Sequence, residues 1–225
     1  MALQDNLINY YKCDTSGSFP DSVWSNDGTI NGATFTSSWK INWGYDFDWS
    51  NDSIVVSPFT TIWTWDFSIC WRFKYDTAVQ YERIFCITDS WANSNFVLLR
   101  FDSATTMTVD YRTGLITTSV ISITWTFSSW QWYFFGISRT WTTTKIYIND
   151  WTPDENTSTA VWVSLPWYLA FWYYPALANS YLDWILDEIW IRTRELSSTE
   201  ILQLYNSWAW LSYDWIIFKP RVIIS

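Results

Sequence analysis

The chain reads as an all-β protein, an antiparallel two-sheet sandwich with one short C-terminal helix. Three observations predict it. Short segments of alternating apolar and polar residues recur along the sequence, each bounded by Asn, Asp, Ser or Gly. Charged residues are 16% of the chain, against about 25% in average proteins, so polarity comes mostly from Ser, Thr and Asn. Only near the C-terminus does the apolar spacing shift from two to three and four.

The first predicted strand is Leu7–Cys13, followed by a polar loop through Asp27. Thr29–Thr36 comes next, then Tyr45–Asp48 and Ser53–Ser57 paired around the Asp48–Asp52 turn. Phe67–Tyr75 alternates most clearly: Phe67, Ile69, Trp71 and Phe73 face one way, Ser68, Cys70, Arg72 and Lys74 the other. That pattern predicts one face on the core and one in water. Further strands are predicted at Arg83–Thr88, Phe96–Asp102, Thr106–Arg112, Trp132–Ser138, Lys145–Asn149, Trp167–Trp172 and Ile185–Arg192. In the last, Ile185, Ile189 and Ile191 share a face with Asp187, which is expected to be held by backbone donors at the sandwich rim, since an unpaired buried carboxylate is costly. Ser197 and Glu200 form a Ser-x-x-Glu capping box ahead of Ile201, Leu204 and Tyr205. It opens a helix of roughly three turns, expected as a lid on the sandwich edge. Residues 1–207 thus read as one domain, with 208–225 a tail or an extra strand.

Composition excludes several chemistries. There is no histidine, which removes Ser-His-Asp, Cys-His and His-zinc mechanisms together. A net charge of −9 argues against nucleic acid, which needs a basic patch. It is compatible with cation-assisted sugar binding. Cys13, Cys70 and Cys86 lie in separate apolar runs, as buried free thiols do. Met1–Asn6 has neither a basic nor an apolar leader region, so no secretory signal is read. No apolar stretch approaches the roughly 18 residues of a membrane span, and a soluble chain is expected.

Several phrases carry a resemblance. Leu7-Ile8-Asn9-Tyr10-Tyr11-Lys12-Cys13-Asp14 comes first, then Gly28-Thr29-Ile30-Asn31-Gly32-Ala33. Tyr45-Asp46-Phe47-Asp48, Phe67-Ser68-Ile69 and Lys145-Ile146-Tyr147-Ile148-Asn149 follow in order. Leu186-Asp187-Glu188-Ile189 and the Arg194-Glu195-Leu196-Ser197 step close the series. Together they resemble the laminin-G-like and concanavalin-A-like lectin–glucanase jelly rolls over nearly the whole chain. The resemblance implies a jelly roll whose usual work is binding, although the fold also hosts adhesins, glycosidases and inert spacers.

Tryptophan usage is abnormal. There are 21 tryptophans beside 6 glycines, where average usage gives roughly sixteen glycines. Trp24, Trp49 and Trp141 sit among Ser, Asn, Asp and Thr in turn-like phrases, and Trp184 follows Asp183 ahead of a strand. Such positions favour positive φ and penalise bulk. Writing glycine there restores ordinary turns and improves the resemblance. The expectation is that UGA codons, read as glycine in some bacterial lineages and their viruses, have been translated as tryptophan. Trp132, in Gln131-Trp132-Tyr133, belongs to the resemblance as tryptophan.

A glycosidase needs two carboxyls about 5–9.5 Å apart. Asp183, Asp187 and Glu188 are the dense candidates, but successive strand residues point to opposite faces. The Glu-x-Asp-x-x-Glu pattern of sandwich glucanases is absent. Asp187 therefore reads as structural, Glu188 as a surface residue, and the chain as no enzyme. Asp48, Asn51 and Asp52 are hard-oxygen ligands suited to calcium, which many resembling proteins bind, but they are equally plain turn formers, the reading preferred here. The candidate ligand face is Arg72, Arg100, Asp110, Tyr111 and Arg112: forked donors and a carboxylate for sugar hydroxyls, with an aromatic platform. Individually each charge also reads as one half of a solvated cross-strand pair. The leading expectation is a noncatalytic glycan or cell-surface-polymer binder, an adhesion module acting in multiple copies. The alternatives are a virion structural or receptor-binding protein and, last, a glycoside hydrolase. An extracellular-surface or virion location follows from either of the first two.

Overall fold

Fifteen strands and one helix account for most of the described residues: β1 Leu7–Tyr11, β2 Gly28–Asn31, β3 Thr34–Thr36, β4 Gly44–Asp48, β5 Ser53–Ile62, β6 Phe67–Thr77, β7 Arg83–Thr88, β8 Asn95–Ser103, β9 Thr106–Thr113, β10 Ile116–Thr124, β11 Gln131–Arg139, β12 Thr144–Ile148, β13 Asp154–Asn156, β14 Leu165–Phe171, β15 Asp183–Arg192 and α1 Ser198–Tyr205. The structure is a computed structural model and describes residues 3–37, 43–48, 50–62, 66–77, 82–88, 95–113, 116–149, 153–156, 165–171 and 183–205. Trp49, Trp172 and the tail 208–225 lie outside them.

The strands form two antiparallel sheets. The first runs β13-β12-β11-β6-β15-β4-β3, with β1 also on β15; the second runs β10-β9-β8-β7-β14-β5-β2. β15 changes partner midway: Asp183–Leu186 pair with β4, Ile189–Arg192 with β1. A register break between Asp187 and Trp190, with Glu188 at φ 52°, marks the changeover. The predicted alternation of β15 is corrected there. Leu186, Ile189 and Ile191 face the core, while Ile185 is left out of that row. A bulge adds one residue and swaps the faces beyond it.

Between the sheets lies one aromatic-rich core. Trp71 of β6 joins its halves, with its ring centroid 5.3 Å from Phe85 of the second sheet and 4.7 Å from Phe135 of its own. A second, smaller core covers the outer face of the first sheet. There Tyr10, Cys70, Phe134, Tyr147 and Trp190 lie against Leu196, Ile201 and Leu204 of the helical segment. The helix therefore rests on a sheet face, not on an edge, and its eight residues make about two turns. The predicted wet face of β6 is correspondingly dry at Cys70 and Arg72. Gly136 permits the close approach, since a Cβ there would stand 3.3 Å from Ile201 Cδ1 and 3.4 Å from Cys70 Sγ.

The capping box forms as predicted. Ser197 N donates to Glu200 Oε2 (2.9 Å) and Glu200 N to Ser197 Oγ (3.3 Å). Partial burial opposes ionisation of Glu200, but Arg194, 2.7 Å away, and the Ser197 donors outweigh it and pull its carboxyl down to about 2. Cys13, Cys70 and Cys86 are buried free thiols. The Ser/Thr-rich strand β10 and the short β13 were not expected from the sequence, because neither shows a clear apolar alternation.

Among the described tryptophans, Trp71, Trp184 and Trp190 are buried, and Trp125 and Trp132 half-buried. Trp24, Trp43, Trp130 and Trp141 are exposed, and no Phe or Tyr is comparably exposed among the described residues. Trp130 has φ 64°, a region that favours glycine. Trp184 departs from the turn expected for it: it lies inside β15, buried, with its ring 4.5 Å from Phe73 and 5.0 Å from Phe101.

Candidate functional site

Strands β8 and β9 alternate so that Val97, Leu99, Phe101, Val109 and Tyr111 enter the core. Residues Phe96, Leu98, Arg100, Thr108, Asp110 and Arg112 therefore point away, onto the outer face of the second sheet. Register places Leu98 beside Asp110, Phe96 beside Arg112, and Arg100 beside Thr108. Arg100 Nε donates to Asp110 Oδ2 at 2.6 Å, and its fork also pairs with Asp102. Thr108 Oγ1 bonds Asp102 and lies 2.8 Å from Ser122 Oγ on β10. The Arg112 guanidinium sits 5.7 Å from the Phe96 ring centroid. The result is a polar row with an Arg-capped aromatic beside it; Phe96, Thr108 and Asp110 are buried, and Arg100, Asp102 and Arg112 are its half-buried members, the ones placed to exchange hydrogen bonds with hydroxyls.

Three of the five sequence-predicted site residues thus share one face. Tyr111 does not join them: it is buried, its ring beneath the Arg139 guanidinium at 4.3 Å and its hydroxyl 3.4 Å from Thr144 Oγ1. Arg72 lies on the opposite side of the sandwich, buried under α1, where its Nη2 donates to the carbonyls of Leu204 (2.8 Å) and Tyr205 (3.0 Å). It acts as a C-terminal cap for the helix. Sequence reasoning passed over Asp102, Thr108, Ser122 and Phe96. Their signal was the strand alternation that sets them on the same side as Arg100 and Asp110.

In the Asp48–Asp52 turn the carboxylates serve the backbone. Asp48 N donates to Asp52 Oδ2 at 3.0 Å, and Ser50 N to Asp48 Oδ1 at 3.1 Å. Among the described residues no group of three or more Cys, Asp or Glu is placed to hold a metal ion.

Asp187 and Glu188 are both buried, which corrects the surface reading of Glu188 and the rim position expected for Asp187. Asp187 sits in mid-strand, in register with Arg72. Tyr10 Oη donates to Glu188 Oε2 at 2.5 Å. Burial, then the neighbouring Asp187, push the Glu188 carboxyl well above its ordinary value; Tyr10 and Arg72 pull only partly the other way. Raised in the fold, this carboxyl contributes stability that is complete below the ordinary carboxylate range and declines as pH rises towards its folded value. Glu188→Gln should therefore flatten the loss of stability above pH ~4.5, as read from urea midpoints across pH. An unchanged slope would mean that another group titrates there.

No family profile and no curated protein matches the chain. Solved structures do. Domain 4 of a GH43 extracellular arabinanase from Geobacillus stearothermophilus, in complex with arabinotriose, superposes with a TM-score of 0.71 at 15% identity, over 89% of this chain and 98% of that one. The botulinum neurotoxin serotype D binding domain superposes at 0.70 and 14% identity, over 91% of this chain but 52% of that one. This chain thus spans about half of the toxin domain's length. A Trypanosoma rangeli sialidase superposes at 0.69 and 12% identity, over 90% and 32%. At these identities the likeness establishes the β-sandwich fold, one shared with a domain in complex with arabinotriose and with a botulinum neurotoxin type G receptor binding domain.

Proposed function

We propose that this chain is a noncatalytic carbohydrate-binding module of the laminin-G-like type, reading glycan hydroxyls with the outer face of the second sheet. The observation that carries it is the pair of half-buried guanidiniums, Arg100 and Arg112, on one outward strand pair, seated over the buried Asp110 and Phe96. The arabinotriose complex of the similar arabinanase domain supports the same class of ligand. Asp102 and Asp110 are both engaged by Arg100, and Glu188 is buried, so the described carboxyls favour holding a sugar over cleaving one. A flat site of this kind binds weakly, and several copies on one assembly would supply avidity. On a glycan array and by calorimetry, Arg112→Ala is expected to weaken binding at least about tenfold, the loss of one charged hydrogen-bonding group. Unaltered affinity in both Arg112→Ala and Arg100→Ala would remove this face from consideration.

The proposal extends to the tryptophans exposed on turns: Trp24, Trp130 and Trp141 are glycines in the native protein, from UGA codons. Their exposure and the φ of Trp130 support this. UGA is expected at Trp24 and Trp49, and UGG at Trp132. UGG at Trp24, Trp49 and Trp184 ends the idea.

A further inference from the structure

Two acids share the side of the first sheet that α1 covers. Asp187 is paired in register with Arg72, whose fork reaches α1. Glu188 accepts from Tyr10, whose ring stacks on Trp190 of the outer core at 5.6 Å. The β15 bulge brings them together, since on a regular strand one of two adjacent carboxyls would enter the main core. Arg72 stands between two sets of acceptors. Its Nη2 holds the last carbonyls of α1, while Glu188 and Asp187 act on its charge. Its Nε is buried and has no hydrogen-bond partner among the described residues, so the helix serves the guanidinium only in part. The other groups facing Glu188 are Tyr10 of β1 and Cys13 and Asp14 just beyond it; Tyr205 of α1 acts on Arg72 in turn. Burial, with the two acids, keeps the Cys13 thiol protonated.

We propose that the proton on Glu188 latches α1 to the sheet. With the proton in place the acid pair carries at most one negative charge, and Arg72 serves the helix carbonyls. When the proton leaves, the pair gains a charge and draws the fork to itself, and α1 loses its C-terminal cap. An eight-residue helix does not persist without its contacts. Uncapping therefore loosens it from the small outer core and exposes Cys70, Phe134 and Tyr147, while the main core stays closed. Burial and Asp187 raise the Glu188 carboxyl in the closed state; solvent restores its ordinary value once the helix lifts. The closed state is thus fully favoured below about pH 4.5. The open fraction then grows by up to about tenfold per pH unit, for one proton released, and levels off above the raised value.

The three buried thiols report on this separately, Cys70 in the outer core, Cys13 in the main core and Cys86 on the second sheet. The full chain is labelled with N-ethylmaleimide between about pH 5 and about pH 8. The initial rate at each cysteine, read by peptide mass spectrometry, is divided by its rate in the urea-unfolded chain at the same pH, which cancels thiol ionisation. The Cys70 ratio should climb roughly tenfold or more across that range, with Cys13 and Cys86 flat. Glu188→Gln should keep Cys70 protected throughout. Tyr10→Phe keeps the ring on Trp190 but removes a donor that favours the ionised carboxyl, so it should move the climb to higher pH; it carries the test alone if Glu188→Gln does not fold. A flat Cys70 ratio in the parent chain, or a climb unchanged in either folded variant, overturns the latch. So does a rise at all three cysteines together, which is opening of the whole sandwich.

Discussion

Arg72→Ala is expected to cost about 3 kcal/mol or more, the loss of two buried hydrogen bonds from a charged group at about 1.5–3 kcal/mol each. Its guanidinium is 4% exposed and does two jobs. It donates to the last carbonyls of α1, at Leu204 and Tyr205. Glu188 and Asp187 also act on it electrostatically, and both favour its charged form against the penalty of burial. Alanine would remove a positive charge from beside two buried acids and free the end of a helix that closes the outer core. Urea denaturation gives the loss directly. The double variant Arg72→Met with Glu188→Gln should recover a share of it, because the buried charge and an acid that acts on it are removed together. A single-variant loss below about 1 kcal/mol would mean that solvent reaches the cluster, since only exposed pairs are worth so little.

This cluster also marks where the sequence stops being legible. Strand alternation placed nearly every element and separated core from outer residues on β6, because a two-residue period follows directly from the pleat. The capping residues of α1 were equally plain, being a local pattern with a local purpose. What lay over the outer faces was not legible. Ser68, Cys70 and Arg72 are polar enough to read as solvated, yet a helix more than 120 residues further along the chain buries them. The bulge at Glu188 was hidden for a related reason. It exists because β15 must exchange β4 for β1 in mid-strand, and pairing of that kind is a property of topology. Tyr111 and Arg112 show the same limit on a smaller scale: adjacent in sequence, they stand on opposite sides of a sheet.

Tryptophan exchanges should separate the buried and the exposed groups by sign as well as size. Trp71→Ala is expected to cost about 3–5 kcal/mol, the usual range for emptying a large aromatic site in a core. Its ring is 1% exposed and spans both sheets through Phe85 and Phe135, so neither sheet can collapse into the void without dragging the other. Trp71→Phe should lose much less. Trp71 Nε1 has no hydrogen-bond partner among the described residues, and phenylalanine removes that buried donor while keeping most of the ring. Trp130→Gly should run the other way and gain about 1 kcal/mol. A non-glycine residue in the left-handed region carries about 1–3 kcal/mol of strain. Against that stand the greater chain entropy of glycine and a lost contact with Lys74, each worth roughly 1 kcal/mol or less. Chemical denaturation of the three variants side by side is the measurement. A loss of 2 kcal/mol or more in Trp130→Gly would make the indole a genuine structural part of its turn and weaken the case for glycine there.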